Sequence, residues 1–191
     1  MKSRVLQGTS SAASNQPLKA RRMLGKYRIR RRIGAGAFAT VYEAYDTIEG
    51  VSVALKVPNL DQLDEESLSA IHREVRLTAR LEHENILPLR NAMMVDGYFV
   101  IATPLGERTL TDRLHYRLGP RTALSYAEQL IDALAYAHEV RVIHCDIKPD
   151  NVILFPEGHV RLADFGIAKV ALRTRTIMGS GQGTVGYIAP E

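Results

Sequence analysis

The run His144-Cys145-Asp146-Ile147-Lys148-Pro149-Asp150-Asn151 carries the decisive chemistry of this 191-residue chain; Asp164-Phe165-Gly166 follows it, and Ala189-Pro190-Glu191 stands at the end. Asp146, Lys148 and Asn151 put a carboxylate, an ammonium and a carboxamide in one loop. Before that loop, from Pro120 onward, Ala123, Leu124, Ala127, Leu130, Ile131, Leu134 and Ala135 recur at helical spacing and predict a helix buried inside its lobe. After it, Val152–Leu154 and His159–Leu162 predict two short strands about the turn Pro156-Glu157-Gly158. A loop pinned between helix and strand holds its polar groups close together. Such a cluster is what phosphoryl transfer needs: a group that orients a hydroxyl and takes its proton, a cation, and hard oxygen donors.

Upstream, Gly34-Ala35-Gly36-Ala37-Phe38-Ala39 follows a GxGxxG pattern with Ala39 in the third place. A dinucleotide-binding turn requires a helix after its glycines. Thr40-Val41-Tyr42-Glu43-Ala44-Tyr45 instead alternates like a strand, so the motif reads as a hairpin tip. Tyr27 to Val57 predicts three antiparallel strands, with Val51, Val53, Leu55 and Val57 on one face. Ala54 and Lys56 then face a cleft, where an inward lysine needs an anion. Residues 61–81 predict a helix with Leu68, Ile71, Val75 and Thr78 or Ala79 on its apolar side, and His83-Glu84-Asn85-Ile86-Leu87-Pro88 is its exit. Two more strands are expected near 87–94 and 98–102, followed by a connector from Thr103 to Gly106. Thr109-Leu110-Thr111-Asp112 has the form of a capping box and opens a short helix to about Leu118. Residues 167–188, rich in Gly, Thr and Ser, predict a mobile loop.

Taken together, the glycine hairpin, Val53-Ala54-Leu55-Lys56, the His144–Asn151 loop, Asp164-Phe165-Gly166 and Ala189-Pro190-Glu191 resemble, in order, the signature set of protein kinases. The resemblance covers residues 27–191 and implies an α+β, two-lobed protein-kinase-like fold. Its small lobe (27–102) would be a five-stranded antiparallel sheet plus one helix, joined by a hinge (103–108) to a partial, mainly helical large lobe (109–191). By the same resemblance Asp146 orients the attacking hydroxyl and accepts its proton, and Lys148 balances charge on the transferring phosphoryl group. Lys56 holds the α- and β-phosphates of ATP and is itself held by Glu74. Asn151 and Asp164 ligate Mg2+, with Mn2+ as an alternative. The nucleotide would rest on Ile33, Gly34, Ala35, Gly36, Ala37, Phe38, Ala39, Val41, Ala54, Lys56, Ile101, Ala102, Thr103 and Ile153. Lys148 and Gly183-Thr184-Val185-Gly186-Tyr187 are similar to Ser/Thr rather than tyrosine kinases, with Thr184 a contact to the catalytic loop. The implied partners are ATP and a protein substrate with Ser or Thr. Small-molecule kinases share the catalytic-loop pattern but not the combination with Asp164-Phe165-Gly166 and Ala189-Pro190-Glu191. The run from Asp164 to Lys169 looks similar to bacterial Ser/Thr kinases.

Two departures matter. Cys145 stands where the family usually has an arginine that pairs with a phosphorylated activation-loop residue. Phosphate on Thr174, Thr176 or Ser180 would lose that partner, so activation should not strictly require it. The chain also stops where family members continue with helices that support the catalytic loop. It is read as a fragment of a longer kinase, whose 120–140 helix would lose part of its cover. A nucleotide-binding, catalytically poor interaction module is the alternative.

The net charge of +4 conceals an asymmetry: residues 1–32 hold ten Lys/Arg and no acid, leaving 15 basic residues against 21 acidic ones afterwards. Residues 1–26 read as a disordered basic tail, with an organelle transit peptide and an arm touching nucleic acid or anionic lipid as alternatives. No specific nucleic-acid motif is present. No apolar run is long enough to span a bilayer within this chain, and the single cysteine excludes an internal disulfide. The expected setting is reducing and cytoplasmic. Cys145 itself reads as an inert thiol or, if its thiolate is stabilised, an oxidisable one.

Overall fold

The structure, a computed structural model, describes residues 18–36, 39–59, 65–165 and 187, without the side chains of residues 65–68, 70, 73 and 74. The hydrophobic alternation of the first third builds one antiparallel sheet. Its strands are β1 (Met23–Leu24), β2 (Tyr27–Ala35), β3 (Ala39–Asp46), β4 (Val51–Pro58), β5 (Asn91–Val95) and β6 (Tyr98–Pro104), in the order β1-β2-β3-β4-β6-β5. Six strands form where five were expected. The addition is β1, from a segment assigned to the basic tail: Met23 and Leu24 pair with Arg28 and Tyr27. Leu24 is fully buried and Leu18 nearly so, and the Leu18 N–H donates to the Tyr42 hydroxyl at 3.0 Å. Two apolar residues among cations are weak as a pattern but strong as core, since each buried leucine is worth roughly 1.5–3 kcal/mol.

One face of this sheet closes over Leu18, Leu24, Tyr27, Ile29, Tyr42, Ala44, Val53, Leu55, Val57, Val100 and Ala102. Helix α1 (Glu65–Thr78) lies within the expected 61–81 and packs Ile71 and Val75 with Phe99 and Ile101. At the far end of the sheet, Asp46 Oδ1 accepts the N–H groups of Ile48 and Glu49, both at 3.0 Å, shaping the turn to β4. Lys26 Nζ lies 2.7 Å from Asp46 Oδ2 and 3.0 Å from Glu49 Oε1, and Arg90 also pairs with Glu49.

The large lobe begins with β7 (Arg108–Thr109) and α2 (Leu110–Leu114), shorter than expected. The capping box is present: Thr109 Oγ1 accepts from the Asp112 N–H at 3.1 Å and the Asp112 carboxylate accepts from the Thr109 N–H at 3.1 Å. Helix α3 (Pro120–Glu139) follows, then β8 (Val152–Leu154) and β9 (Val160–Leu162), which with β7 form a second small sheet. The apolar stripe of α3 does not bury as one. Tyr126, Ala133 and Ala137 are buried and Leu130 and Leu134 pack against the same core, whereas Leu124 and Ile131 are 64% and 63% exposed. The covered side of α3 faces β9 and the exit of α1, where the His83 and Tyr136 rings stack with centroids 5.2 Å apart. Among the described residues no helix is long and apolar enough to cross a membrane.

The exit of α1 ties the lobes together. Asn85 is buried, and its amide donates to Gln129 Oε1 of α3 (2.9 Å) and to the Val160 carbonyl (3.0 Å). Gln129 in turn accepts from the Val160 N–H and donates to the Gly158 carbonyl.

Candidate active site

Alternation on β4 sends Val53, Leu55 and Val57 into the core, while Ala54 and Lys56 line a cavity of about 420 Å³ between the two lobes. Cross-strand register brings Val41 beside Lys56 and Thr103 beside Ala54. Ile33, Gly34, Ile101 and Ile153 complete the expected lining, and Asp164 and Phe165 close the deep end. Ala102 points the other way, fully buried in the small-lobe core, with its carbonyl accepting from the Arg90 N–H at 2.9 Å. Its side chain is a core group rather than part of the lining. Ala35, Gly36 and Ala39 belong to the hairpin, closed by a Gly36 N–H to Ala39 carbonyl bond of 2.9 Å, but not to the cavity wall. Ala37 and Phe38 lie outside the described residues, as do Gly166, Thr174, Thr176, Ser180, Thr184 and Ala189-Pro190-Glu191.

The glycines of the hairpin are not required by packing. A methyl group at Gly34 would sit 3.6 Å from Val41 Cβ, and one at Gly36 would sit 3.6 Å from the Ala39 carbonyl, both ordinary contacts. Backbone left bare without an internal need is open to close approach by a ligand such as a phosphate chain.

Several lining residues were not assigned to the site from the sequence: Val75, Leu87, Leu89, Gly106, Glu107 and Asp112. Gly106 carried a legible signal, a glycine just after a strand. A Cβ there would fall 2.2 Å from Ile153 Cγ2 and 2.8 Å from the Leu154 carbonyl. The connector must therefore pass hard against β8, where the Glu107 N–H donates to the Leu154 carbonyl at 2.8 Å.

The 144–151 loop is held from both sides. His144 is buried, its ring edge-on to Phe165 with centroids 4.7 Å apart. Its Nδ1 accepts from the Asp146 N–H at 3.2 Å, so Nε2 carries the proton and donates to the Ala163 carbonyl at 2.8 Å. Burial depresses its pKa below the ordinary histidine value and outweighs the Ala163 carbonyl, which favours the cation. The neutral ring thus links the loop to the segment bearing Asp164. Cys145 (φ 64°) and Asp164 (φ 60°) both adopt the left-handed conformation, a strain of order 1–3 kcal/mol for a residue such as cysteine.

Within the loop, Asn151 Nδ2 donates to the Asp146 carbonyl (2.8 Å) and to Asp146 Oδ2 (3.1 Å), and Lys148 Nζ pairs with the same Oδ2 at 2.8 Å. The Asn151 carbonyl accepts from the Ala163 N–H at 2.7 Å, which sets Asn151 beside Asp164. Lys56 Nζ reaches Asp164 Oδ1 at 2.7 Å. The structure therefore gathers Asp146, Lys148 and Asn151 into one cluster and Lys56 with Asp164 into an adjoining pair. Glu74 belongs to α1, but its side chain lies outside the described residues. Among the described residues no group of three or more His, Cys, Asp or Glu forms a metal cage. Asn151 and Asp164 are the residues here that could hold a hard cation, and two such donors would need further oxygens to complete its shell.

Comparison with known proteins agrees with this geometry. The family described as protein kinase domain matches residues 27–191. The chain is 34% identical over 177 residues to the serine/threonine-protein kinase PrkC of Bacillus subtilis, covering 90% of this chain and 27% of that protein. It is 35% identical over 174 residues to CBL-interacting serine/threonine-protein kinase 19 of Arabidopsis thaliana, covering 88% and 36%. The chain thus spans about a third of the length of these relatives. The crystal structure of the Mycobacterium tuberculosis PknI kinase domain superposes with a TM-score of 0.65 at 30% identity, over 80% of this chain and 64% of that one.

Proposed function

This chain belongs to the protein kinase domain family, and from that membership we propose that it transfers the γ-phosphate of ATP to serine or threonine hydroxyls of proteins. The adenine is taken between Val41 and Ala54 above and Ile153 below, against Ile101 and Thr103, all on the wall of one cavity. The phosphates run beneath the Gly34–Gly36 hairpin toward Lys56. The observation that carries the reading is the bond from the Ala163 N–H to the Asn151 carbonyl, which couples the Asp146 cluster to the Lys56–Asp164 pair. Two half-sites on different segments are thereby held as one.

Asp146 orients the substrate hydroxyl and accepts its proton. Asn151 and Lys148 both grip its Oδ2, fixing the carboxylate plane before substrate arrives. Lys148 also lies where charge develops on the transferring group, a contact worth about 2 to 4 kcal/mol when positioned in advance. The Asn151 carboxamide oxygen and Asp164 would hold magnesium, which neutralises phosphate charge when bound. Lys56 exchanges part of its contact with Asp164 for phosphate oxygens, and Glu74 of α1 steadies it.

Transfer of labelled γ-phosphate from magnesium ATP to a generic basic protein, followed by identification of the labelled amino acid, tests the reading. Label on serine or threonine is expected; label on a small metabolite and not on protein contradicts it. A second reading is a nucleotide-binding module that transfers poorly. Magnesium-dependent ATP binding without transfer would select it.

A further inference from the structure

On the sheet face that also carries Val41, Ala54 and Lys56, but toward the turn between β3 and β4, Ala20, Arg21, Arg28, Ile29, Arg30 and Tyr45 line an open groove that shares no residue with the nucleotide cavity. Arg28 and Tyr45 are register partners across β2 and β3 and so share a face of the sheet. The guanidinium carbons of Arg28 and Arg30 lie 5.5 and 5.1 Å from the Tyr45 ring centroid. Arg30 Nη1 is further fixed by Glu43 Oε1 and Ser52 Oγ, both at 3.2 Å. Arg21 sits in the left-handed conformation (φ 67°), held by its N–H to the Ile29 carbonyl at 2.8 Å. No carboxylate among the described residues pairs with Arg21 or Arg28. The Arg28 guanidinium is thus held on a strand and against a ring beside that of Arg30, and Arg21 lines the same groove with its backbone fixed. The nucleotide site makes no use of them.

We propose that this groove binds a phosphorylated serine or threonine carried on a polypeptide. A guanidinium fork matches the oxygens of a phosphate dianion with two parallel hydrogen bonds, and arginines already ordered by stacking lose little further freedom on binding. The neighbouring cations Lys26, Arg30, Arg31 and Arg90 are matched by Glu43, Asp46 and Glu49. That pairing interrupts the positive face, whereas Lys19, Arg22 and Arg32 have no carboxylate among the described residues, so the vesicle arm of the test separates a phosphopeptide from an anionic bilayer. The Tyr45 ring is stacked by arginine and so is not offered to a nucleobase. Cys145 leaves the catalytic loop without a cation at that position, so a phosphorylated peptide with the sequence of residues 170–185 is the occupant proposed for the groove. The proposal rests on the kinase reading only for the origin of the phosphate.

The test uses the whole chain and labelled synthetic peptides of residues 170–185, with and without phosphate on Thr176, together with a phosphothreonine peptide of scrambled flanks and vesicles containing phosphatidylserine. Because the peptides bring their own phosphate, failure to bind and failure to transfer are separate results. Phosphate-dependent binding is expected, weakened about tenfold or more in the double variant Arg21→Gln/Arg28→Gln, with an unchanged melting temperature as the control for folding. Arg28→Lys keeps the charge but not the fork and is expected to fall in between. Equal binding of the scrambled peptide would mean that the groove reads phosphate on any polypeptide; preference for the native flanks would make this chain's own segment the occupant. Binding that ignores the phosphate, survives the double variant, or appears on vesicles alone would overturn the proposal.

Discussion

Lys56 Nζ and Asp164 Oδ1 meet at 2.7 Å across 108 residues of sequence, joining β4 of the small lobe to the segment after β9 of the large one. The pair sets a cation and a carboxylate in contact on the wall of the cavity. Lys56→Met removes the cation while keeping a similar stem. It should lower kcat/KM for phosphoryl transfer about a hundredfold or more, the scale for loss of one positioned electrostatic contact, with a smaller change in melting temperature because the site is partly open to water. Steady-state kinetics beside thermal denaturation checks both halves of that statement.

His144 is expected to govern stability at mildly acidic pH. Its folded-state pKa lies below the ordinary 6.5, chiefly through burial, so below that value the unfolded chain binds the proton more readily than the folded one. Stability should be constant above pH 6.5 and decline as the pH falls through the lower folded value. His144→Phe should remove this slope. It should also cost roughly 2 to 4 kcal/mol at neutral pH, because the Ala163 carbonyl and the Asp146 N–H would be left unpaired in the interior. Urea denaturation at a series of pH values distinguishes the two effects.

Asp46 should govern stability at lower pH. Burial disfavours its charge, but the Lys26 ammonium and the N–H groups of Ile48 and Glu49 outweigh that and hold its carboxyl below 3.8. The stabilisation is complete above that unfolded value and disappears as the pH falls through the depressed one. Asp46→Ala should therefore lower stability at pH 7 by about 2 kcal/mol or more and flatten the acid limb of the same titration.

Gly106→Ala should injure the nucleotide site without touching the catalytic loop. The added methyl group meets Ile153 and the Leu154 carbonyl, so the connector must move off β8, at about 1–3 kcal/mol. The expected result is a rise in KM for ATP with a nearly constant kcat. Equal loss in both would mean that the connector acts on more than binding.

How much of this was legible varied with the kind of signal. Period-two alternation on β4 disclosed both the core face and the cavity face, because each residue there reports its own side. Strand β1 is hidden because Leu24, like Leu18 before it, stands among cations that composition assigns to a tail; only the burial of both leucines and the bond from Leu18 to Tyr42, 24 residues apart, shows them to be core. The α3 pattern disclosed a helix but not which part of its wide stripe is covered, since Leu124 and Leu130 are equally apolar in the sequence. Lys148 and Asn151 could be found as loop polars near Asp146. The contact between Lys56 and Asp164 and the ties from Ala163 to His144 and Asn151 depend on tertiary geometry. Cys145 and the arginine groove gave separate signals, one a departure from a motif and the other a product of strand register.

The central claim is that the Asp146 cluster performs transfer, and single-turnover transfer of labelled γ-phosphate by residues 1–191, wild type against Asp146→Asn, tests it most directly. Asparagine keeps the size and the Asn151 and Lys148 contacts but cannot accept the hydroxyl proton. The account predicts that nucleotide binding survives and transfer falls by at least about a hundredfold; equal transfer by the two proteins would contradict it.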